Sequence, residues 1–224
     1  MSNTPEQLVF ELPHRAAMGL EDFLVSDSNA AAVALVDRWP DWPIGAAVLV
    51  GPQGSGKTHL ATVWQLRTSA VSHAAATLTR EGVPAVASAD AVIIEDIQTL
   101  SDEAALFHLL NLVREQRLQV LLTTDTAPGD LPVTLPDLHS RLKALPLASI
   151  ESPDNALLRA VLVKLFTDRQ LSVEPHVIDY VLVRMERSMS AAERFVAEAD
   201  RQALVRQRRV TRAIAGAALD TLGY

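Results

Sequence analysis

Eight consecutive residues combine glycines, a lysine and a threonine at a spacing suited to holding phosphate groups. They read Gly51-Pro52-Gln53-Gly54-Ser55-Gly56-Lys57-Thr58 and fit the pattern G-x-x-x-x-G-K-[ST] throughout. Glycines let successive backbone N–H groups point at phosphate oxygens. We therefore predict a phosphate-binding loop, in which Lys57 reaches the terminal phosphates and the Thr58 hydroxyl binds Mg²⁺.

The segments on either side of this loop have the sequence patterns of a strand and a helix, which a phosphate-binding loop requires. An apolar run at 46–50 precedes it and a helix-like run at 59–66 follows it. This strand–loop–helix order also directs the positive end of a helix at the phosphates, whereas a chance Gly-rich turn would need neither flank. The expected contacts to nucleotide from this part of the chain are Pro52, Gln53, Gly54, Ser55, Gly56, Lys57, Thr58 and His59.

A second apolar run, at 91–94, ends in the carboxylates Glu95 and Asp96. In a nucleotide-hydrolysing fold, the first acid holds Mg²⁺ or its water and the second polarises the attacking water. We predict Glu95 and Asp96, with Thr58, as Mg²⁺ ligands, and Asp96 also as a catalytic residue. The usual order begins with Asp, so the longer Glu95 alters the metal geometry. The alternative is a strand that ends in surface acids.

A third apolar run, at 119–124, ends in polar residues. A polar group at a strand end beside the γ-phosphate can sense the state of the nucleotide, and Thr124 is the first candidate, followed by Asp125. A simple turn that begins at these residues and continues to Pro128 and Gly129 is the open alternative.

Composition narrows the class of protein. The 224 residues are 49% apolar, contain no cysteine and carry a net charge of −7. The absence of cysteine excludes disulfides and thiolate metal sites. No apolar run reaches the ~20 residues of a membrane span, and we expect a cytoplasmic location. The acidic balance disfavours strong intrinsic DNA binding. A local exception is a cluster of arginines: Arg201, Arg206, Arg208, Arg209 and Arg212. This cluster could be an ordinary solvated helix face, or it could be a contact surface for a partner or DNA.

The order of elements predicts an α/β fold that is followed by helices alone. Strands are expected at 46–50, 70–77, 91–95, 119–124 and 147–151, with helices at 28–38, 57–68, 102–116 and 136–143. Ser101 is the expected N-cap of the third of these helices. Beyond Pro153, helices are expected at 153–169, 175–186, 190–207 and 211–222. Such an alternation predicts a doubly wound parallel sheet with the phosphate loop at the carboxyl end of its first strand.

Four passages resemble the AAA+ module of the bacterial replication initiator DnaA. They are the box at 22–32, the acidic strand end at 94–98, the Leu-Thr-Thr-Asp at 122–125 and the Leu-His-Ser-Arg-Leu at 138–142. The resemblance implies a P-loop AAA+ parallel sheet flanked by helices, then a small all-α lid domain, with boundaries of 1–18 for a tail, 19–152 for the sheet domain and 153–224 for the lid. It also implies bound ADP or ATP with Mg²⁺, and adenine-side contacts from Phe23, Leu24, Val25 and Asn29. Arg141 matches an arginine finger that acts in trans.

Within that family the chain resembles the short, Hda-type regulators more than the initiator itself. We expect no DNA-binding helix-turn-helix domain, because the chain stops at Tyr224, and the tail is similar to the peptide with which proteins bind the replicative sliding clamp. The clamp-binding residues that this resemblance implies are Gln7, Leu8, Phe10, Leu12 and Pro13. One departure is that Ser190 stands where the family carries its sensor 2 arginine, for which Arg187 or Arg194 are the candidate substitutes.

The resemblance implies a negative regulator of replication initiation. Such a protein docks on the DNA-loaded clamp, binds ADP or ATP, and presents Arg141 to ATP-bound DnaA, so that DnaA hydrolyses its ATP. The resemblance implies that its own ATPase activity is weak at most and that it contacts DNA mainly through the clamp. It leaves open whether the protein forms a homo-oligomer, and it implies no membrane partner. Two alternatives are an autonomous AAA+ ATPase, such as a helicase loader, and a clamp adaptor with a purely structural nucleotide.

Overall fold

A five-stranded parallel sheet forms the centre of the computed structural model, which describes residues 24–206 and 208–224. The strands lie in the order β2-β3-β4-β1-β5, and every neighbouring pair is parallel. Their bounds are β1 (Ala46–Val50), β2 (Val71–Ala74), β3 (Ala91–Glu95), β4 (Gln119–Thr124) and β5 (Leu147–Ser149). The predicted parallel α/β sheet is therefore confirmed.

Two strands are shorter than predicted. The 70–77 strand ends at Ala74, where the Thr77 hydroxyl donates to the Ala74 carbonyl and the chain enters a 3₁₀ turn, Ala75–Thr77. The 147–151 strand ends at Ser149. Its continuation turns away from the sheet, since the Glu151 N–H bonds the Ser28 carbonyl near the first helix.

Nine α-helices surround or follow the sheet within the described ranges. They are α1 (Ala30–Asp37), α2 (Lys57–Thr68), α3 (Val83–Val86), α4 (Glu103–Gln116), α5 (Pro136–Ala144), α6 (Asn155–Asp168), α7 (Pro175–Leu182), α8 (Met189–Arg206) and α9 (Arg212–Leu222). The short α3 was not predicted, although Pro84 in its first turn after Gly82 is a start signal. The expected N-cap at Ser101 is wrong. Asp102 caps α4, because its carboxylate accepts from the Ala105 N–H.

Alternating residues of the strands feed two apolar layers. Ala46 and Val48 of β1 face α4 and α5, and Ala47 and Leu49 face α1 and α2. This alternation follows from the pleat of a strand, and burial on both faces explains why these strands are apolar throughout. The two layers hold the carboxyl ends of the strands at a fixed edge of the sheet.

Helices α6–α9 form a third apolar cluster of their own. Phe166 of α6 and Phe195 of α8 meet edge to face in it, with ring centroids 6.2 Å apart. The start of α8 contacts the sheet side directly, because the Met189 N–H donates to the Gly54 carbonyl at 2.8 Å. Across the described ranges no helix combines the length and hydropathy that crossing a bilayer requires.

Candidate nucleotide-binding site

The strand order brings the predicted chemical residues to one edge. Because β4 lies between β3 and β1, the acids that follow β3, the polar end of β4 and the loop that follows β1 are neighbours. The Gly51 N–H donates to the Thr124 carbonyl at 3.0 Å, which joins the loop to the end of β4. Ligands of parallel α/β sheets bind at this edge.

The loop has the backbone shape that its glycines predict. Gly54 and Gly56 have φ of +75° and +107°, which side chains disfavour. A Cβ at Gly51 would lie 2.3 Å from the Ile150 carbonyl oxygen, so that position also excludes a side chain. Ser55 Oγ is buried and has no hydrogen-bond partner among the described residues. A phosphate oxygen in the loop would supply that missing partner.

Lys57 is held inside the loop. Its side chain is buried, and Nζ donates to the carbonyls of Gly51 at 2.6 Å and Pro52 at 3.0 Å. Burial lowers the pKa of Lys57 below 10.5, against the raising effect of the Asp96, Asp125 and Glu95 carboxylates. The ammonium is thus partly desolvated and ready to pair with an anion.

The predicted Mg²⁺ ligands partly converge. Thr58 Oγ1 donates to one Glu95 carboxylate oxygen at 2.9 Å, and Ser72 Oγ donates to the other at 2.9 Å. Asp96 instead accepts from the Gln98 amide at 3.1 Å. Among the described residues no group of three or more His, Cys, Asp or Glu side chains could hold a metal ion. Mg²⁺ at Thr58 and Glu95 would therefore complete its shell with phosphate oxygens and water.

A cavity of about 300 Å³ opens beside the loop. Five predicted contacts line it, namely Leu24, Asn29, Ser55, Gly56 and His59. Val25, also predicted, packs against the apolar layer under α1 and α2 instead. Phe23 lies outside the described residues.

The other side of this cavity was not predicted. It comes from Thr62 and from the third cluster of helices, as Leu157, Val161, Lys164, Leu165, Met189 and Glu193. Leu157, Val161 and Leu165 recur every four residues, which places them on one face of α6. That spacing was visible in the sequence, but it equally predicts an ordinary core face.

The Asn29 side chain gives the 24–29 segment its shape. Its oxygen accepts from the Ser26 N–H and its amide donates to the Leu24 carbonyl, both at 2.9 Å. Asn29 therefore holds Leu24 at the mouth of the cavity. An apolar cavity next to a phosphate loop with an unsatisfied hydroxyl fits a purine base joined to phosphates.

Comparison with known proteins gives the family of this site. The family model described as the bacterial DnaA ATPase domain matches residues 15–146, more than half of the chain.

The chain belongs to the DnaA ATPase-domain family.

Its relatives are distant in sequence. DnaA of Symbiobacterium thermophilum is 26% identical in an alignment 200 positions long, gaps included, that covers 77% of this chain and 43% of that protein. DnaA of Thermus thermophilus is 25% identical in an alignment of 236 positions that covers 90% of this chain and 52% of that protein. The chain thus spans about half or less of the length of these relatives.

Solved structures agree on the fold. Domain III of the Thermotoga maritima initiation protein DnaA superposes with a TM-score of 0.76 at 18% identity, covering 90% of this chain and 95% of that one. AMPPCP-bound DnaA from Aquifex aeolicus gives 0.67 at 23% identity, covering 79% and 63%. At these identities the likeness shows an AAA+ fold.

Two details of this DnaA-type site differ from what we expected. The Thr124 hydroxyl, predicted to face the nucleotide, donates to the Thr126 carbonyl at 2.9 Å and accepts from its N–H at 3.1 Å. It therefore shapes the turn after β4, which is the alternative that the sequence left open. Gln98 is a residue we missed. Its amide donates to Asp96, and its oxygen accepts from the Asp125 N–H at 3.3 Å, so it bridges the ends of β3 and β4.

The two candidate sensor 2 substitutes do not line the cavity. Arg194 donates to the Tyr224 hydroxyl at 2.9 Å, and Arg187 lines a separate groove beside Asp179. Ser190 lies near the phosphate loop, since a Cβ on Gly54 would be 3.1 Å from its hydroxyl. The basic residue that the helices contribute to the cavity is Lys164, which pairs with Asp168 at 2.6 Å.

Arg141 lies far from this cavity. It lines a groove with Ile44 and Ala46, where β1 begins, and the phosphate loop follows the other end of β1. Its guanidinium lies 4.6 Å from the ring centroid of Phe107. This packing leaves Arg141 half-buried on α5.

Proposed function

We propose that this protein binds ADP or ATP in the loop cavity and acts in trans on the ATP of a DnaA protomer, as a regulator of replication initiation. When bound, the nucleotide supplies phosphate charge that ties the sheet to the helices α6 and α8. The protein's own residues then bind and orient it: the loop amides and Lys57 take the phosphates, and the apolar face of α6 covers the base.

The position of Arg141 is the observation that carries the proposal. Four residue steps of β1, or about 13 Å at 3.3 Å per residue, separate the level of Arg141 from the protein's own phosphate loop. A cation at that distance cannot reach its own γ-phosphate. We infer that it acts instead on the nucleotide of a neighbouring protomer.

Stacking on Phe107 supports such a role. A guanidinium that is already ordered against a ring loses less conformational entropy when it meets a phosphate. One arginine supplied in trans can accelerate phosphoryl transfer ~10³–10⁵-fold. A protein with weak turnover of its own can therefore be an effective activator.

The tail at 7–13 completes the proposal, although it lies outside the described residues. Its Gln7 and Leu12 are similar to the anchors of clamp-binding peptides. Docking on a DNA-loaded clamp would raise the local concentration of this protein beside DnaA on the same DNA. In this proposal the tail holds the protein at the clamp, and Arg141 stimulates ATP hydrolysis by DnaA.

The test is hydrolysis of DnaA-bound ATP on clamp-loaded DNA, with wild type, Arg141→Ala and a matched Arg114→Ala. Arg114 lines the same groove and is exposed, so it controls for loss of charge there. We expect Arg141→Ala to lose ~10³-fold stimulation or more, down to the unstimulated rate, and Arg114→Ala to retain it.

Each variant is also checked for ADP binding and thermal unfolding, because Arg141 packs on Phe107. Full stimulation by a folded Arg141→Ala protein would remove the trans mechanism and leave an adaptor with a structural nucleotide. Unassisted turnover above ~1 s⁻¹ would instead identify an autonomous ATPase.

A further inference from the structure

Two arginines that are distant in the sequence share one tyrosine ring. The guanidinium carbon of Arg184, just after α7, lies 3.8 Å from the Tyr180 ring centroid, and that of Arg212, at the start of α9, lies 4.6 Å from it. Arg184 also donates to the Tyr180 carbonyl at 2.9 Å. Stacking therefore fixes two like charges side by side.

These charges are not neutralised from within the protein. Across residues 24–206 and 208–224, neither Arg184 nor Arg212 forms an ion pair. Asp179, the acid within α7, pairs with Arg159, and Glu186, two residues after Arg184, pairs with Arg194 at 3.7 Å. The pair is thus an unbalanced positive site on a protein of net charge −7.

The position of Arg212 works against the stability of its own helix. It is the first residue of α9, whose first turn contains no acid, so it lies at the positive end of the helix dipole. Arg208 and Arg209 precede it on the exposed turn between α8 and α9. Proteins keep such locally destabilising residues mainly at functional sites, so the position of Arg212 points to a function for its charge.

The structure also divides the arginine cluster seen in the sequence. Arg201 is engaged, because its guanidinium donates twice to Glu198, at 2.6 and 2.8 Å. Those bonds, with one from Gln202, lower the Glu198 pKa to about 2. The lid patch is defined as Arg184 and Arg212, which stack on Tyr180, together with the exposed Arg208 and Arg209 that precede α9. Arg208 and Arg209 line a neighbouring groove that also contains Asp200, and Arg206 is exposed at the end of α8.

We propose that the lid patch contacts the backbone phosphates of duplex DNA without reading its sequence. Guanidinium groups bind phosphates bidentately, and two of them fixed on one ring, with two more on the turn before α9, can contact several phosphates of a stiff duplex. This contact does not depend on the tail or on Arg141.

Duplex DNA fits the patch better than its two rivals. Single strands are bound through free aromatic faces, whereas the Tyr180 ring is covered by guanidinium groups. An acidic protein surface is the competing occupant, because Val183, beside Arg184, is 82% exposed. We favour DNA because two guanidinium groups lie against the ring, which otherwise packs on the apolar cluster of α6–α9.

The experiment measures binding of the isolated full-length protein to a labelled 20-base-pair duplex of arbitrary sequence between 25 and 200 mM salt. The variants are Arg184→Gln/Arg212→Gln and the matched control Arg201→Gln. We expect the double variant to bind about tenfold more weakly at low salt and to lower the slope of log K against log salt by about 2. The control should behave as wild type.

Thermal unfolding shows whether the double variant is folded, since Arg184 also caps α7. If it is not, Arg208→Gln/Arg209→Gln on the exposed turn replaces it, with the same expected loss. Equal duplex affinity of wild type and a folded patch variant would overturn the proposal. So would tighter binding to a single strand, or to polyglutamate of equal charge, which would assign the patch to another partner.

Discussion

At the scale of single residues, the environment of Lys57 determines how this protein binds phosphate. The loop holds its ammonium between two carbonyls, and burial lowers its pKa below 10.5. A bound phosphate would raise that pKa again, since an opposite charge favours the protonated form. Nucleotide binding is therefore coupled to a proton on this one side chain.

We predict that ADP binding takes up a proton when the pH lies between the Lys57 pKa of the free protein and that of the complex. Affinity should then fall as pH rises through this window. Calorimetry over a series of alkaline pH values, where phosphates are fully ionised, in two buffers of different ionisation enthalpy measures both the uptake and the affinity.

Lys57→Ala provides the second arm of that measurement. It should abolish ADP binding or weaken it at least about 100-fold, because a charge-assisted contact to phosphate is lost. Unchanged ADP affinity in this variant would show that Lys57 does not take part in binding.

At the scale of elements, Glu103 at the start of α4 positions the segment that leads into α5. Its carboxylate accepts hydrogen bonds from the N–H groups of Thr134 at 2.9 Å and Leu135 at 2.7 Å. These bonds lower the Glu103 pKa below 4.5. The contact ties α5, the helix that carries Arg141, to the start of α4.

We predict that Glu103→Gln lowers the melting temperature at pH 7 and reduces the activity that depends on Arg141, with ADP affinity unchanged. The folded-state pKa is depressed, so the stabilisation is present above pH 4.5 and is lost as pH falls through the lower folded value. The gap between wild type and variant should close in that acidic range.

Thermal unfolding from pH 7 to pH 3 follows this gap, and the control is Glu115→Gln, an exposed acid on the same helix. A gap that stays constant down to the lowest pH would mean that ionised Glu103 is not the source of the stabilisation.

At the scale of the whole molecule, a close contact joins the lid helices to the phosphate loop. The Gly54 carbonyl accepts from the Met189 N–H, and a Cβ at Gly54 would lie 2.7 Å from the Ser188 Cβ. The loop and the start of α8 therefore form one unit, and a nucleotide between them would stabilise both.

We predict that Gly54→Ala weakens ADP binding and lowers the melting temperature, because the new methyl group pushes α8 away and the positive φ adds about 1 kcal/mol of strain. Gly54→Ala/Ser188→Gly should recover part of both losses, since it removes the collision but not the strain. ADP titration and thermal unfolding of the two variants measure this.

Ser188→Gly alone is the control for the lost α8 cap, as the Ser188 hydroxyl accepts from the Ala191 N–H. If the double variant behaved no better than Gly54→Ala, backbone strain alone would account for the loss. The contact with α8 would then have no measurable part in binding.

The sequence by itself determined the sheet, the phosphate loop and the acidic strand end. These are local features: a loop with Gly54, Gly56 and Lys57 at fixed spacing has one backbone solution, and strands buried on both faces are apolar throughout. Helix starts followed from capping residues and prolines, with the small error of Ser101 for Asp102.

Only the tertiary structure decided which distant residues meet. The half of the cavity from α6 and α8, the turn role of the Thr124 hydroxyl and the Gln98 bridge depend on neighbours remote in the chain. The same holds for the stacking of Arg141 on Phe107 and of Arg184 and Arg212 on Tyr180. An arginine in a sequence has the same charge whether it pairs with a carboxylate, as Arg201 does, or stays unbalanced. Packing between helices decides whether an arginine is paired or unpaired, and the spacing of residues in the sequence does not predict this.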